Sequence, residues 1–142
     1  MLSYVYESGF AMVAFYTAIN ALIMLILALL VTRARVKNQV EIGDGGKPEM
    51  TGPLRAHANN TEYVPTALLL MWALLPIGGS VWMVHGIGLP LTIGRLLHGF
   101  GLSRGIGTSS PRFLGVMLTW IAYIVGIVSL LWLVFFPQAA AS

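Results

Sequence analysis

Three long segments without any Asp, Glu, Lys or Arg dominate this sequence of 142 residues. They run from Ser8 to Thr32, from Tyr63 to Gly94 and from Phe113 to Ser142. Each is longer than the ~20 apolar residues that cross the ~30 Å hydrocarbon core of a bilayer. Only 9% of the residues are charged, against about 25% in a typical soluble domain. The sequence therefore predicts an integral membrane protein, and its length allows a single domain.

Composition excludes several kinds of chemistry. The chain has no cysteine, so structural disulfides, thiolate metal sites and a cysteine nucleophile are ruled out. No metal site is predicted. The formal net charge is +3, but the basic residues lack the density and the interleaved aromatic residues of nucleic-acid-binding surfaces. We therefore expect no nucleic-acid partner.

The first apolar segment resembles a signal peptide only in its hydrophobicity. Glu7 precedes it, no basic region comes before it, and Arg33, Arg35 and Lys37 follow it directly. A cleaved signal peptide has the opposite arrangement of charge. We interpret the segment as a retained membrane helix.

The middle segment is too short to hold two complete membrane helices. Only 32 residues separate Glu62 from Arg95, whereas two spans and a turn need ~40. The breaker sequence Pro76–Ser80 predicts a reversal at its centre. At a rise of 1.5 Å per residue, Glu62 and Arg95 each lie ~24 Å along a helix from that turn. Both charges are therefore predicted inside the membrane at similar depth, as partners on adjacent helices.

With a fourth helix after the third loop, the predicted fold is an all-α membrane bundle forming one domain, residues 1–142. Its helices are predicted over about 8–36, 53–77, 81–103 and 110–136. Both termini then lie on one side, and all basic residues fall toward the other, which the positive-inside rule makes cytoplasmic together with loops 1–2 and 3–4. The basic residues are Arg33, Arg35, Lys37, Lys47, Arg55, Arg95, Arg104 and Arg112.

A candidate binding site lies on the second helix. Arg55, Asn59 and Glu62 are spaced i, i+4 and i+7, which places them on one stripe. A cation, an amide and a carboxylate on one face can hold a zwitterionic ligand such as an amino acid or peptide. The alternative is that Arg55 and Glu62 neutralise charges on neighbouring helices. The predicted depth of Glu62 favours function, because a carboxylate is costly within a membrane.

The third helix adds Arg95 and His98, which share a face at i and i+3. The simplest partner for Arg95 is Glu62, and a purely structural clamp between the two is an equally good interpretation. His98 alone is more often a satisfied interface histidine than a ligand. His85 is predicted near the opposite surface and is given no role.

The fourth helix is predicted to begin at Ser110 and Pro111, with the serine as cap and the proline in the first turn. Arg112 then lies in the first turn, where its guanidinium joins the positive end of the helix dipole. There it could lower the pKa of a thiol brought by a ligand. An interfacial arginine that meets lipid phosphate is the equally common alternative.

The motif Arg55-x-x-x-Asn59-x-x-Glu62-Tyr63-x-Pro65, followed by Gly94-Arg95-x-x-His98, resembles the MAPEG family, the membrane-associated proteins in eicosanoid and glutathione metabolism. The resemblance covers nearly the whole chain and is to a bacterial-type member. It implies a left-handed four-helix bundle in the bacterial inner membrane, assembled as a homotrimer. Glutathione, as co-substrate, would lie between neighbouring subunits toward the cytoplasmic side.

The resemblance also implies roles for single residues. The residues that match glutathione-holding positions are Arg55, Asn59, Glu62 and Tyr63 on helix two, Arg95 and His98 on helix three, and Arg33 or Arg35 on helix one for the glycyl carboxylate. His57 stands where a polar neighbour of the site occurs, and Arg112 matches the arginine that stabilises the thiolate. Leu96, Phe100 and Leu102 stand where some members have tyrosines, and Ala58 replaces an arginine of the prostaglandin-synthase branch. These departures argue against an eicosanoid synthase.

Three hypotheses follow. The first is a glutathione-dependent transferase or peroxidase that acts on lipophilic electrophiles dissolved in the lipid bilayer. The second is a non-catalytic trimeric scaffold or accessory subunit that keeps the polar cluster as an assembly clamp. The third, an ion or proton carrier using Glu62 and Arg95, is weaker because the charges lie near one face and form no relay across the membrane.

Overall fold

Four long α-helices make up the fold. The structure is a computed structural model that describes residues 2–103, 107 and 109–137. The helices are α1 (Leu2–Asn38), α2 (Pro48–Leu74), α3 (Val81–Ser103) and α4 (Ser110–Phe135), and a short 3-10 turn, Leu75–Ile77, extends α2. The described residues contain no strand, so the predicted all-α class is confirmed. Arg104, one of the residues used to orient the chain, lies outside the described residues.

Two helices begin earlier than the sequence predicted. Helix α1 starts at Leu2 rather than near residue 8. Helix α2 starts at Pro48 rather than near Pro53. Proline is favoured at the first position of a helix, where its missing N–H costs nothing, and Pro48 occupies that place while Pro53 lies inside the helix.

The chain reverses between α2 and α3 at Gly78, as the breaker sequence predicted. Gly78 has a φ of 89°, a conformation that glycine adopts without steric cost. Its N–H donates to the carbonyl of Leu75 (3.2 Å), and the N–H of Gly79 donates to that of Leu74 (2.8 Å). These paired bonds form a Schellman motif, which satisfies carbonyls at the end of the helix.

The bundle is apolar outside and partly polar inside. Two helical segments, Ser8–Asn38 and Ser110–Phe135, are long and apolar enough to cross a membrane. Their exposed side chains include Leu22, Leu25 and Leu29 on α1 and Ile124, Val128 and Leu131 on α4. The buried polar residues are Asn20, Asn60, Thr92, Arg95, His98 and Thr119. An apolar surface of this extent is rare on soluble monomers and fits a lipid solvent.

Helices α3 and α4 approach closely at two glycines. A Cβ atom added to Gly94 would lie 2.8 Å from the carbonyl oxygen of Gly115, and one added to Gly115 would lie 2.6 Å from that of Gly94. Small residues allow such backbone approach between membrane helices. The crossing places Arg95 directly beside α4.

Polar side chains also join α1 to α3. Asn20 Nδ2 donates to Thr92 Oγ1 (2.9 Å) and to the carbonyl of Tyr16 (2.9 Å). The hydroxyl of Tyr16 is hydrogen-bonded to Nδ1 of His85 (2.8 Å). Hydrogen bonds between helices stabilise membrane bundles. His85, for which no role is predicted from the sequence, therefore helps to hold α3 against α1.

Candidate functional site

Arg95 is the centre of the polar cluster. It is 2% exposed, and one terminal nitrogen donates to Asn59 Oδ1 at 2.8 Å. The other donates to Thr119 Oγ1 and, at 3.4 Å, to the carbonyl of Gly115. Its guanidinium carbon lies 5.5 Å from the centroid of the Tyr63 ring, within the range of a cation–π interaction. Arg95 thus ties α3 to both α2 and α4.

The predicted pair between Glu62 and Arg95 is wrong. Glu62 is exposed, and Arg95 takes Asn59 as its partner on α2 instead. The number of residues from the turn predicts the level of each charge along the bundle axis. It does not predict the rotation of α2 about its own axis, which turns Asn59 toward α3 and leaves Glu62 on the outer surface.

The partners of Arg95 on α4 were missed by the sequence analysis. Thr119 is 1% exposed, and its hydroxyl donates to the carbonyl of Gly115 at 2.8 Å. A single threonine in an apolar helix belongs to no motif. The spacing of Thr119 from Arg112, two helical turns on the same face, was the one available signal.

Tyr63 is held in place by a second tyrosine. The hydroxyl of Tyr123 donates to the carbonyl of Tyr63 at 2.8 Å. The two rings meet edge to face, with centroids 5.9 Å apart. Tyr123 therefore links α4 to α2 one helical turn beyond Thr119. No motif in the sequence predicts this contact.

His98 and Arg112 lie near the start of α4. His98 is 4% exposed, and a Cβ atom on Gly115 would lie 2.7 Å from its backbone nitrogen. Arg112 is half-buried in the first turn of α4, as predicted, and donates to the carbonyl of Gly107 at 3.5 Å.

The predicted cap of α4 is wrong by one residue. The N-cap is Ser109, in an extended conformation, and it makes no side-chain cap hydrogen bond. Ser110 lies within the helix, because the extended backbone that a cap needs occurs at Ser109. Pro111 keeps its predicted place in the first turn.

The remaining predicted residues lie on outer surfaces of the chain. Arg55 and Glu62 are exposed on α2, and His57 is half-buried. Arg35, on α1, donates to the carbonyl of Glu41 at 3.1 Å. The structure thus brings Asn59, Tyr63 and Arg95 together and leaves Arg55 and Glu62 facing outward, one on each side of Asn59 along α2.

Comparison with known proteins decides the family. The sequence profile of the MAPEG family matches residues 13–132. The chain belongs to the MAPEG family. It is similar to the inner membrane protein YecN of Escherichia coli strain K12 and to the protein of the same name from E. coli O6:H1. Each is 34% identical over 119 residues, which cover 84% of this chain and 89% of the relative.

Family and fold agree on the solvent of this chain. A MAPEG protein is a membrane protein, and the apolar outer surfaces of α1 and α4 fit the bilayer that surrounds it. The motif residues of α2 and α3 all fall within the matched range. Charged side chains on the outer face of α2 must therefore meet a partner other than lipid hydrocarbon, because a charge exposed there is costly.

Proposed function

We propose that this MAPEG protein is a glutathione-dependent membrane transferase or peroxidase that conjugates or reduces lipophilic electrophiles through the thiolate of bound glutathione. One observation carries the proposal. Arg55 and Glu62 are exposed on α2, one on each side of Asn59 along the helix, and Arg95 fixes the orientation of the Asn59 side chain from inside the bundle. A cation, an amide and a carboxylate are thus presented in a fixed order along one helix.

This stripe fits the polar groups of a tripeptide. Glutathione carries two carboxylates, one ammonium and two amide groups. The guanidinium of Arg55 suits a carboxylate, and the carboxylate of Glu62 suits the ammonium. Because Arg95 donates to Oδ1 of Asn59, the Nδ2 of that side chain is the group that can donate to a ligand carbonyl. His57 and Tyr63 supply the neighbouring polar surface.

A homotrimer would complete the site. Arg55 and Glu62 lie on the surface of a single chain, and a neighbouring subunit would shield them from lipid. Arg35 on α1 of that neighbour is the candidate for the glycyl carboxylate. The resemblance to the MAPEG family supports a site between subunits, toward the cytoplasmic ends of the helices.

Arg112 is the proposed catalytic residue, acting with the positive end of α4. A helix N-terminus and a guanidinium both favour an anion. A thiol with a pKa of ~8.5 that is lowered by one unit is ionised roughly tenfold more at pH 7. A thiolate that is held in position beside a lipophilic substrate lowers the activation barrier of the reaction, because it is correctly oriented and its charge is stabilised.

The chemical steps follow from the thiolate. Its sulfur attacks an electrophilic carbon, a C–S bond forms, and the leaving group departs with the electrons of its bond. With a hydroperoxide the sulfur attacks the terminal oxygen and the O–O bond breaks. The departing alkoxide takes up a proton and leaves as the alcohol, and the other product is the sulfenic acid of glutathione. A second glutathione then condenses with the sulfenic acid, which gives glutathione disulfide and water. In both reactions the lipophilic substrate accepts an electron pair from the sulfur, as an electrophile in the first and as an oxidant in the second.

A non-catalytic trimeric scaffold is the second candidate. The hydrogen bonds of Arg95 to Asn59, Thr119 and Gly115 are what a structural clamp requires. Leu96 and Phe100 are about half exposed on α3 and offer no hydroxyl where some family members have tyrosine. Under this alternative no thiol ligand binds.

The test is glutathione binding to the detergent-purified protein by calorimetry, with the ultraviolet absorbance of the thiolate followed in the same samples. We expect Arg112→Ala to keep glutathione binding while turnover falls about 100-fold, the usual scale for loss of one charge-stabilising group. Arg112→Lys should restore part of the thiolate signal. Glu62→Gln should instead weaken binding.

Two outcomes would overturn the proposal. Equal loss of binding and turnover in Arg112→Ala would remove its catalytic role. No binding at millimolar glutathione, in a sample whose circular dichroism shows folded helices, would favour the scaffold.

A further inference from the structure

A cavity of ≈ 370 Å³ opens between α1 and α2, near the basic end of α1. Its polar wall consists of Arg33, Lys37, Asn38 and Glu49. Its volume falls within the range of about 300–1,000 Å³ that is usual for small-molecule sites. Apolar residues from three helices line the rest, among them Leu27, Leu30, Ala56 and Gly99.

A second cavity of ≈ 170 Å³ continues the first along α1. The two share Leu27, Leu30 and Gly99, and the second reaches Ile23. The helix from Ile23 to Lys37 covers ~21 Å, which is more than half of the ~30 Å hydrocarbon core. We call the two cavities together the α1 groove. It is charged at one end and mostly apolar at the other, where Arg95 is the charged lining residue.

The α1 groove is distinct from the proposed glutathione stripe. On α2 it is lined by Pro53 and Ala56, whereas the stripe consists of Arg55, Asn59 and Glu62. Successive helical residues are turned by about 100°, so the two sets lie on different faces of α2. A ligand in the groove therefore lies on a different face of α2 from the stripe. The link between the two is Arg95, which lines the second cavity and donates to Asn59.

The charges at the mouth of the groove match a zwitterionic head group. Arg33 and Lys37 lie one turn apart on α1 and are both exposed, so their cationic ends can converge on one phosphate. Glu49, the second residue of α2, lines the same cavity and supplies a carboxylate for an amine. A purely anionic ligand would have no group to pair with this carboxylate and would be repelled by it.

The apolar part of the groove depends on Gly99. Gly99 lines both cavities. A Cβ atom there would lie 3.4 Å from Cδ2 of Leu27, an ordinary contact. Alanine is therefore tolerated at this position, whereas a leucine would extend into the groove and fill it.

We propose that the α1 groove binds a membrane phospholipid with a primary amine in its head group. The phosphate lies at Arg33 and Lys37, the amine lies at Glu49, and one acyl chain follows Leu27 and Leu30 past Gly99. The inference does not rest on the proposed glutathione chemistry. It explains why one groove has basic and acidic side chains at its mouth and mostly apolar residues along the rest of its length.

Native mass spectrometry of the detergent-purified protein tests the proposal. Phosphatidylethanolamine, phosphatidylglycerol and palmitate are added separately, and retained adducts are counted. We expect phosphatidylethanolamine to be retained best. The double variant Arg33→Gln/Lys37→Gln should retain about tenfold less of it, because each basic residue near a membrane surface adds to lipid binding. Arg35→Gln removes one positive charge from the same helix outside the groove and should retain the wild-type amount.

Two further variants separate the head-group and acyl-chain contacts. Glu49→Gln should abolish the preference for phosphatidylethanolamine over phosphatidylglycerol. Gly99→Leu should remove the adduct, whereas Gly99→Ala should keep it. If Gly99→Leu fails to fold, the exposed pair Arg33 and Lys37 decides the question.

The proposal is overturned if palmitate or phosphatidylglycerol binds best, or if the double variant retains lipid as the wild type does. The same spectra report the mass of the assembly. If Gly99→Leu alters that mass while lipid retention stays constant, a second copy of the chain occupies the groove and the lipid proposal is wrong.

Discussion

Two neighbouring asparagines on α2 show how differently one residue type can act within the bundle. Asn59 accepts a hydrogen bond from Arg95 at 2.8 Å. Asn60 is 2% exposed, and neither its oxygen nor its nitrogen pairs with another group in the part of the chain that the structure describes. A buried amide that forms no hydrogen bond destabilises the fold. Removing an amide that does form one leaves its hydrogen-bonding partner buried and unsatisfied.

The same substitution should therefore have opposite effects at the two positions. Asn59→Leu removes the acceptor for a buried guanidinium and should lower the free energy of unfolding by about 1–3 kcal/mol. Asn60→Leu replaces an unpaired amide with a side chain of similar size and should leave that free energy unchanged or raise it. Unfolding in detergent, followed by circular dichroism, gives both values. Equal destabilisation would show that a group outside the described residues pairs with Asn60.

At this scale the sequence predicts the positions of the polar residues on α2 and α3 but not which of them contact each other. The i, i+4, i+7 spacing identified the polar stripe of α2, and Gly94-Arg95-x-x-His98 identified the cluster on α3. Whether Asn59 or Glu62 meets Arg95 depends on the rotation of α2, which is set by packing of the whole bundle. Thr119 and Tyr123 act through single contacts that carry no motif, so no local pattern could reveal them.

The elements themselves follow from hydrophobic length and from proline and glycine. Charge-free segments predicted α1 and α4, and the breaker sequence at Gly78 predicted the reversal between α2 and α3. Helix starts were less accurate, since Pro48 and Pro53 are both compatible with a first turn. The close crossing of α3 and α4 could not be read from sequence, because glycines are frequent along this chain and only a few of them face another backbone.

That crossing should be sensitive to a single methyl group. Gly115→Ala would place Cβ 2.6 Å from the carbonyl oxygen of Gly94, and backbone atoms cannot yield without separating the helices. Overpacking of this kind usually costs about 1–3 kcal/mol, and we expect a corresponding fall in the thermal midpoint in detergent. The hydrogen bond from Arg95 to the carbonyl of Gly115 should be weakened at the same time.

Gly99→Ala is the matched control. It adds the same methyl group inside α3, where the nearest atom is a leucine methyl at 3.4 Å, and alanine favours the helix over glycine by about 1 kcal/mol. The midpoint should stay constant or rise. A fall of equal size in both variants would mean that the cost arises within the helix rather than at the crossing.

On the scale of the whole molecule, charge is distributed unequally along the bundle. No charged residue lies between Glu62 and Arg95, the segment that contains the α2–α3 turn. The α1–α2 loop and its flanks carry Arg33, Arg35, Lys37 and Lys47. Arg55 and Arg95 lie in the halves of α2 and α3 that are nearer this loop. The positive-inside rule relates such asymmetry to orientation, so we expect the α1–α2 loop in the cytoplasm and the α2–α3 turn on the other side.

The lack of cysteine makes this orientation directly measurable. Ile42 in the α1–α2 loop is 87% exposed and Ile77 in the turn is 40% exposed, so a cysteine at either position reaches solvent outside the buried core. In intact bacterial cells a membrane-impermeant maleimide should label Ile77→Cys and leave Ile42→Cys unlabelled. After permeabilisation both should react, which controls for accessibility. Labelling of Ile42→Cys alone in intact cells would reverse the topology, and the groups proposed for glutathione would then face away from the cytoplasm.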